Sequence, residues 1–358
     1  MIKKIKYGIH TFELYASHLK YTEVQKVIDQ LIEENSIQMT KSDPYNIDRH
    51  IKSAYLVNNG VRLRIYQSHN KSNGIGFAIN PRTLWKQEYK PCRLYQPNKK
   101  SWEKIERNFE NLMSKLHLQK DCSDMSLSSM DLTIDLWMDQ DIDLTEVIRT
   151  FWKSNIPHHF KRFELDDPDD PAINDHYFGI ATKGIVIKAY DKVYELKKYH
   201  RCPEKVADEN ILRIEISMKR EIFLKKFDLE RNDSIYDMLY VGYAQGHKLL
   251  LQYLEKLFPC RGEHLCYKKA EKKIEEAIKD KKLRQQMLFL LKKTSKGAGL
   301  DTAIQKFDTE YKDVNHRKLK KVLSAFDELD LNPITLANVS RTKRLSSLLR
   351  MIMLYKEH

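Results

Sequence analysis

Polar residues recur at every second position in three apolar segments from the middle of the chain. Residues 130–137 (MDLTIDLW) align Asp131, Thr133 and Asp135; residues 185–196 (IVIKAYDKVYEL) align Lys188, Tyr190 and Lys192; residues 211–219 (ILRIEISMK) align Arg213, Glu215 and Ser217. Side chains alternate between the two faces of a strand, so each set shares a face. If the three strands lie in one sheet, carboxylates, a tyrosine and basic groups project from a single surface.

The rest of the first two-thirds alternates strand and helix periods. KYGIHTFELYA reads as a strand and YTEVQKVIDQLIEENS as a helix. VRLRIYQS and GIGFAINP read as strands joined by the turn HNKSNG, and Ser101 is placed to cap the helix WEKIERNFENLMSKL. A second block begins at residue 130. It continues with a helix around LTEVIRTFWKS, with Thr145 early in it. A strand HFKRFELD and a hairpin turning at residues 182–184 follow, and ILRIEISMKR closes the block. The blocks share an order, and the pattern suggests a duplicated strand–helix–strand–strand unit. The expected fold is α+β, a mostly antiparallel sheet with helices on one face.

After about residue 225 the period becomes helical throughout. The expected organisation is an α+β catalytic domain over 1–225 and an all-helical domain over 226–358, for DNA binding or self-association. Its last piece, DLNPITLANVSRTKRLSSLLRMI, reads as a Pro-led short helix, a cap at Ser340 and a basic amphipathic helix. That fits a helix-turn-helix or winged-helix reader, and equally any small helical bundle.

Composition narrows the partners. The 358 residues are 41% hydrophobic and 32% charged, with a net charge of +13. That excess favours a polyanion, most often nucleic acid. The start, MIKKIKYGIHTFEL, has no apolar run of signal-peptide length, and no stretch approaches a membrane span. Five scattered cysteines read as free thiols of a reducing compartment, so a cytoplasmic location is expected. Cys260 and Cys266 flank His264 without the pairing of a zinc site. The acidic stretch FELDDPDDPAIND reads as a solvated loop, and the lysine runs 268–273 and 279–282 as solvated helix faces.

The shared face carries the chemistry. Carboxylates hold hard cations, and a tyrosine activated by a cation or a lysine can attack a phosphodiester. Asp131, Asp135 and Glu215 are the candidate metal ligands, with Mg2+ or Mn2+ equally suited. His10 and Glu13 on the first strand are weaker candidates. Tyr190 has Lys188 and Lys192 on its own face, and Arg213 lies two residues before Glu215. Among 19 tyrosines, Tyr194 has the same strand parity and is the main rival to Tyr190; Tyr177 and Tyr199 are also near.

The succession of Asp131 and Asp135, then Tyr190, Asp191, Lys192 and Glu195, then Arg213 and Glu215 resembles the replication initiators of rolling-circle plasmids. It equally resembles their relatives, the relaxases of conjugative elements and the initiators of filamentous-type phages. The resemblance covers roughly residues 125–220. Ser129 stands where the family usually has a basic residue, ATKGIV lacks the usual Arg-Lys-Ser character, and no His-apolar-His triplet is present; His158 and His159 are adjacent. What the resemblance implies is a metal-dependent nickase-ligase. It opens single-stranded DNA at an origin through a tyrosine-linked 5′-phosphate, with Tyr190 as nucleophile. Implied partners are single-stranded DNA at the nick, duplex DNA at the origin, a host helicase and a second copy of the chain. Two other readings stay open: a non-catalytic DNA-binding replication or copy-control protein on the same scaffold, and a metal nuclease that hydrolyses without a covalent step.

Overall fold

In chain order the elements are β1 (Ile2–Leu19), α1 (Tyr21–Glu33), β2 (Ile37–Met39), β3 (His50–Leu56), β4 (Val61–Gln67), β5 (Asn73–Ile79), α2 (Pro81–Lys86), α3 (Lys99–Lys115), β6 (Ser126–Met138), α4 (Leu144–Trp152), β7 (Lys161–Arg162), β8 (Tyr177–Ala181) and β9 (Ile185–Asp191). There follow α5 (Lys192–Lys198), α6 (Glu204–Ala207), β10 (Ile211–Lys219), α7 (Arg220–Phe227), α8 (Ile235–Leu257), β11 (His264–Leu265), α9 (Tyr267–Ala277), α10 (Lys281–Ser295), α11 (Leu300–Tyr311), α12 (Arg317–Glu328), β12 (Arg344–Leu345) and α13 (Leu348–Met353). The computed structural model describes residues 2–34, 37–39, 50–56, 59–68, 72–337, 342 and 344–353. Ser340 and residues 69–71 of the HNKSNG turn lie outside the described residues. The fold is α+β and built on antiparallel strands.

The chain forms two compact units that interleave in sequence. Unit N holds Tyr7–Thr133 and Ile216–His247, and unit C holds Met1–Lys6, Ile134–Glu215 and Lys248–His358. Residue 225 falls inside the 216–247 segment of unit N. β1, β6, β10 and α8 run through both.

In unit N the strand order is β2-β3-β4-β5-β1, with the first half of β6 beyond β1. β1 pairs antiparallel with β5 in the register Leu14↔Phe77 and Ala16↔Ile75. Alternation sends Phe12, Leu14 and Ala16 of β1 and Ile75, Phe77 and Ile79 of β5 into the core. α1 forms because Val24, Val27, Ile28 and Leu31 make one buried stripe at helical spacing. α3 starts three residues earlier than the sequence suggested: the Asn98 carboxamide accepts from the Ser101 amide at 3.0 Å, and Ser101 sits buried inside the first turn. Asparagine at the N-cap satisfies a helix-end donor as well as serine does.

In unit C the order is β6-β10-β9-β8-β7. β8 and β9 form the expected hairpin, closed by the Thr182 amide on the Ile185 carbonyl at 2.8 Å. The strand expected over HFKRFELD shrinks to Lys161–Arg162, and the acidic stretch after it is loop with one 3-10 turn at Ile173–Asp175. Asp143 caps α4 on the Thr145 amide at 3.0 Å. α4 lays Phe151 against Phe178 of β8, ring centroids 5.5 Å apart. The later helices of unit C enclose a core of their own, including Ile274, Met287, Leu290, Phe307, Val322 and Phe326. The basic terminal helix expected from residue 340 onward is shorter: β12 occupies Arg344–Leu345, and the helix spans Leu348–Met353. Among the described residues no helix is long and apolar enough to cross a membrane.

Candidate active site

The second half of β6, β10, β9 and α5 bring the candidate residues of unit C together. On β10 every residue from Ile211 to Ile216 is buried, so its polar side chains need partners. Alternation puts Leu212 and Ile214 on one face of the strand, and Arg213 and Glu215 on the other.

Arg213 is wholly buried and grips wholly buried Asp135 through two bonds, Nε to Oδ1 at 2.5 Å and Nη2 to Oδ2 at 2.7 Å. Burial works against the guanidinium charge, but Asp135 outweighs it and holds the Arg213 pKa well above its ordinary value. Asp135 is thus occupied by a bidentate partner. At Glu215 the Tyr190 hydroxyl donates to Oε1 at 2.9 Å, Arg213 Nη1 lies 3.8 Å from the same oxygen, and Lys188 Nζ lies 3.9 Å from Oε2. Burial, and the negative charge of Glu215, push the Tyr190 hydroxyl well above the ordinary phenol range.

Lys188 and Tyr190 share a face of β9, as alternation predicts. Lys192 and Tyr194 do not continue it. β9 ends at Asp191, whose carboxylate accepts from the amides of Val193 and Tyr194 at 3.0 and 2.9 Å and starts α5. An Asp at the N-cap turned the expected strand into a helix. Lys192, in the first turn, is buried and pairs with Glu195 at 2.7 Å, with its Nζ 5.8 Å from the Tyr190 ring centre. Burial and the nearby Arg213 charge lower its pKa. Tyr194 donates to Asp170 at 2.7 Å and stacks on His176, ring centres 3.7 Å apart. Burial and that hydrogen bond push its hydroxyl up to about 12.

The acidic loop is tied to this helix. Lys198 bonds Asp167 at 2.5 Å and Asp170 at 2.8 Å. A cavity of about 200 Å³ opens between loop, hairpin and α5, and Tyr190, Lys188, Glu215, Tyr177, His176 and Tyr194 contribute to its wall. The sequence reading did not single out His176, and it took Tyr177 only as a rival nucleophile. The signal was present in the turn: with residues 182–184 at its tip, Tyr177 falls opposite Tyr190.

Asp131 belongs to unit N, on the first half of β6, where it accepts a hydrogen bond from the Thr11 hydroxyl. His10 presents a ring nitrogen within 4.8 Å of an Asp131 carboxylate oxygen. A half-exposed carboxylate beside an imidazole is a donor set that Mg2+ or Mn2+ accepts. Glu13 is engaged elsewhere in unit N, 3.8 Å from Arg64 and 3.4 Å from the Ser129 hydroxyl. His264 is buried with its Nδ1 at 2.9 Å from the Ile334 carbonyl, and burial lowers its pKa to about 4. His158 and His159 lie in a turn.

No protein-family model and no curated protein matches the sequence. Among solved structures, a rolling circle replication initiator protein from Geobacillus stearothermophilus is similar at 11% identity and a TM-score of 0.33, over 71% of this chain and 86% of that one.

Proposed function

We propose that the chain is a replication initiator or relaxase of a mobile element, which nicks and rejoins single-stranded DNA through a covalent link to Tyr190. The observation that carries the reading is the Tyr190 hydroxyl on the Glu215 carboxylate at 2.9 Å, with Lys188 near the same carboxylate and all three residues lining one cavity. The residues sit at the positions of the Tyr-Asp-Lys and Arg-x-Glu motifs of the resembling family.

In this reading Tyr190 Oη attacks phosphorus as its proton passes to Glu215. The bond from tyrosine oxygen to phosphorus forms, and the bond from phosphorus to the 3′-oxygen breaks. That oxygen takes a proton from water and leaves as a 3′-hydroxyl, which a polymerase can extend. The phosphotyrosine keeps the bond energy, so attack by a 3′-hydroxyl reseals the strand. Lys188 faces the phosphate, and Lys192 supports the Tyr190 ring. Arg213 positions Glu215 and is itself held by Asp135. We assign divalent-ion binding to Asp131, with His10 as an added donor, a pair that would hold an ion able to polarise a phosphate. Asp135 takes the positioning role, because Arg213 occupies both its oxygens.

A second reading has one observation in its favour. The Tyr190 hydroxyl is buried and held far above the ordinary phenol range, which suits a structural tyrosine in a non-catalytic DNA-binding protein. Incubation with end-labelled single-stranded DNA and manganese, followed by a denaturing gel, separates the readings. A covalent adduct supports the nickase; cut DNA without an adduct indicates a hydrolytic nuclease; intact DNA indicates the binding protein. The net charge of +13 makes DNA the proposed partner in all three. Affinity should then fall steeply between low and physiological salt, as counterion release requires, and a flat response in a filter-binding titration would remove nucleic acid as the partner.

A further inference from the structure

We propose that the cavity beside Tyr190 receives one nucleobase of the single strand, an inference that rests on the nickase reading and adds how its substrate is held. The wall is aromatic by construction. Tyr177 and Tyr190 are cross-strand partners on the hairpin, with ring centres 6.1 Å apart and planes 26° from parallel. His176, one residue before Tyr177, lies at 8° to the Tyr194 ring. Leu165 and Ile173 of the acidic loop add apolar surface. Flat rings beside an opening of about 200 Å³ suit a single flat π-system.

Charge decides between base and phosphate. The lysines of the wall are Lys188 and Lys198, and Lys198 is already committed to Asp167 and Asp170. Asp191, Glu195 and Glu215 face them. The wall thus carries three carboxylates against two lysines, and a phosphate inside the cavity meets more negative than positive charge. A neutral base is not, and an exocyclic amine such as that of cytosine can donate to a carboxylate. The Tyr177 hydroxyl has no hydrogen-bond partner among the described residues and stays protonated, because burial raises its pKa. It supplies a donor for a base carbonyl or ring nitrogen. With the base seated here, the adjoining phosphate falls to Lys188 and Tyr190.

The test is photo-crosslinking of the full chain to a short single-stranded oligonucleotide bearing one 5-iododeoxycytidine, with peptide mapping. The expected crosslinks lie within residues 165–199, at Tyr177, His176 or Tyr194. Tyr177→Ala should lower their yield and weaken oligonucleotide binding by about tenfold, the scale of one lost base–aromatic stack, and Tyr177→Phe should retain most of both. Absence of crosslinking, or crosslinks only outside this segment, overturns the proposal. Tyr190→Phe should keep the crosslink while losing any covalent adduct. Failure of the nickase reading therefore appears on the denaturing gel, and failure of the base site in the peptide map.

Discussion

The hairpin of unit N and the hairpin of unit C are alike on their core-facing sides and differ on the other. In each, a strand and helix precede the hairpin, and alternate residues of the second hairpin strand enter the core: Ile75, Phe77 and Ile79 on β5, and Ile185, Ile187 and Ala189 on β9. On the other face β5 has Gly74, Gly76 and Ala78, whereas β9 has Val186, Lys188 and Tyr190. The glycines of β5 lie under side chains of β1. A Cβ on Gly76 would stand 2.7 Å from Glu13 Oε1, and one on Gly74 would meet the Tyr15 hydroxyl. β1 thus closes that face with its own side chains. In unit C the neighbouring strand is β10, and its Glu215 meets Tyr190 beside an open cavity. A shared scaffold leaves one face filled and the other available for chemistry, and the residues on alternate positions of one strand make the difference.

The largest expected effect tests whether Tyr190 is the group that distinguishes unit C. Tyr190→Phe deletes one oxygen and keeps the ring against Tyr177. Covalent adduct should vanish while single-strand binding stays within about twofold of wild type, a change worth well under ~1.4 kcal/mol. Tyr194→Phe should form adduct normally, because its hydroxyl is engaged by Asp170 on the acidic loop. Adduct that survives the first change and disappears in the second would move the nucleophile to Tyr194.

Next comes Glu215→Gln, which keeps the shape and removes the proposed proton acceptor. Adduct formation should slow by roughly 10²–10⁴-fold, the usual contribution of a general base. The pH response sharpens this. Glu215 helps to hold the Tyr190 phenol neutral, so its loss lowers the phenol pKa from its raised value. The residual rate should then climb with pH, about tenfold per unit below that pKa. A wild-type rate in the Gln variant would place the base elsewhere.

Much of this face was legible in alternation alone. β6, β9 and β10 are strands, Lys188 and Tyr190 do share a side, and Arg213 lies beside Glu215. What alternation did not reveal was where β9 stops. Asp191 reads equally as a strand residue and as a helix cap, and only the tertiary setting decided for the cap, which took Lys192 and Tyr194 off the strand. The strand order was equally hidden. Asp135 and Arg213 meet because β10 inserts beside β6, and no local period records that neighbour. The apolar stripes of α1 and α3 were readable for the opposite reason, since a buried helix face is a local period.

The buried pair gives a stability contrast between the units. Asp135→Asn takes the bidentate carboxylate from the buried Arg213 charge and leaves it the more distant Glu215, 3.8 Å away. Unfolding free energy should drop by about 3–5 kcal/mol, read from denaturant midpoints. Replacing both partners together by Leu and Met should restore much of that loss, because a well-packed apolar pair needs no compensation. The corresponding ion pair of unit N, Arg64 with Glu13 at 3.8 Å, is half-exposed on the arginine side. Arg64→Ala should therefore cost no more than about 1 kcal/mol. Equal losses in the two units would mean that burial does not set the energetic difference between them.

The smallest effect probes the filled face itself. In Gly76→Ala the new methyl meets the far end of the Glu13 side chain, which can rotate away at the expense of its loose contacts with Arg64 and Ser129. The alanine also reduces the freedom of the unfolded chain, worth about 0.4–1 kcal/mol in the stabilising direction. The two contributions nearly cancel, so the unfolding midpoint should barely move. Gly74→Ala differs because its methyl would also lie 2.9 Å from the Ala16 carbonyl, a backbone atom fixed by the β1–β5 pairing. The backbone must shift to admit it, at a cost of about 1–3 kcal/mol. Neither change should alter adduct formation, since neither glycine lies in the unit that carries Tyr190. If Gly74→Ala proves as mild as Gly76→Ala, the close approach of β1 to β5 is not what keeps that face small.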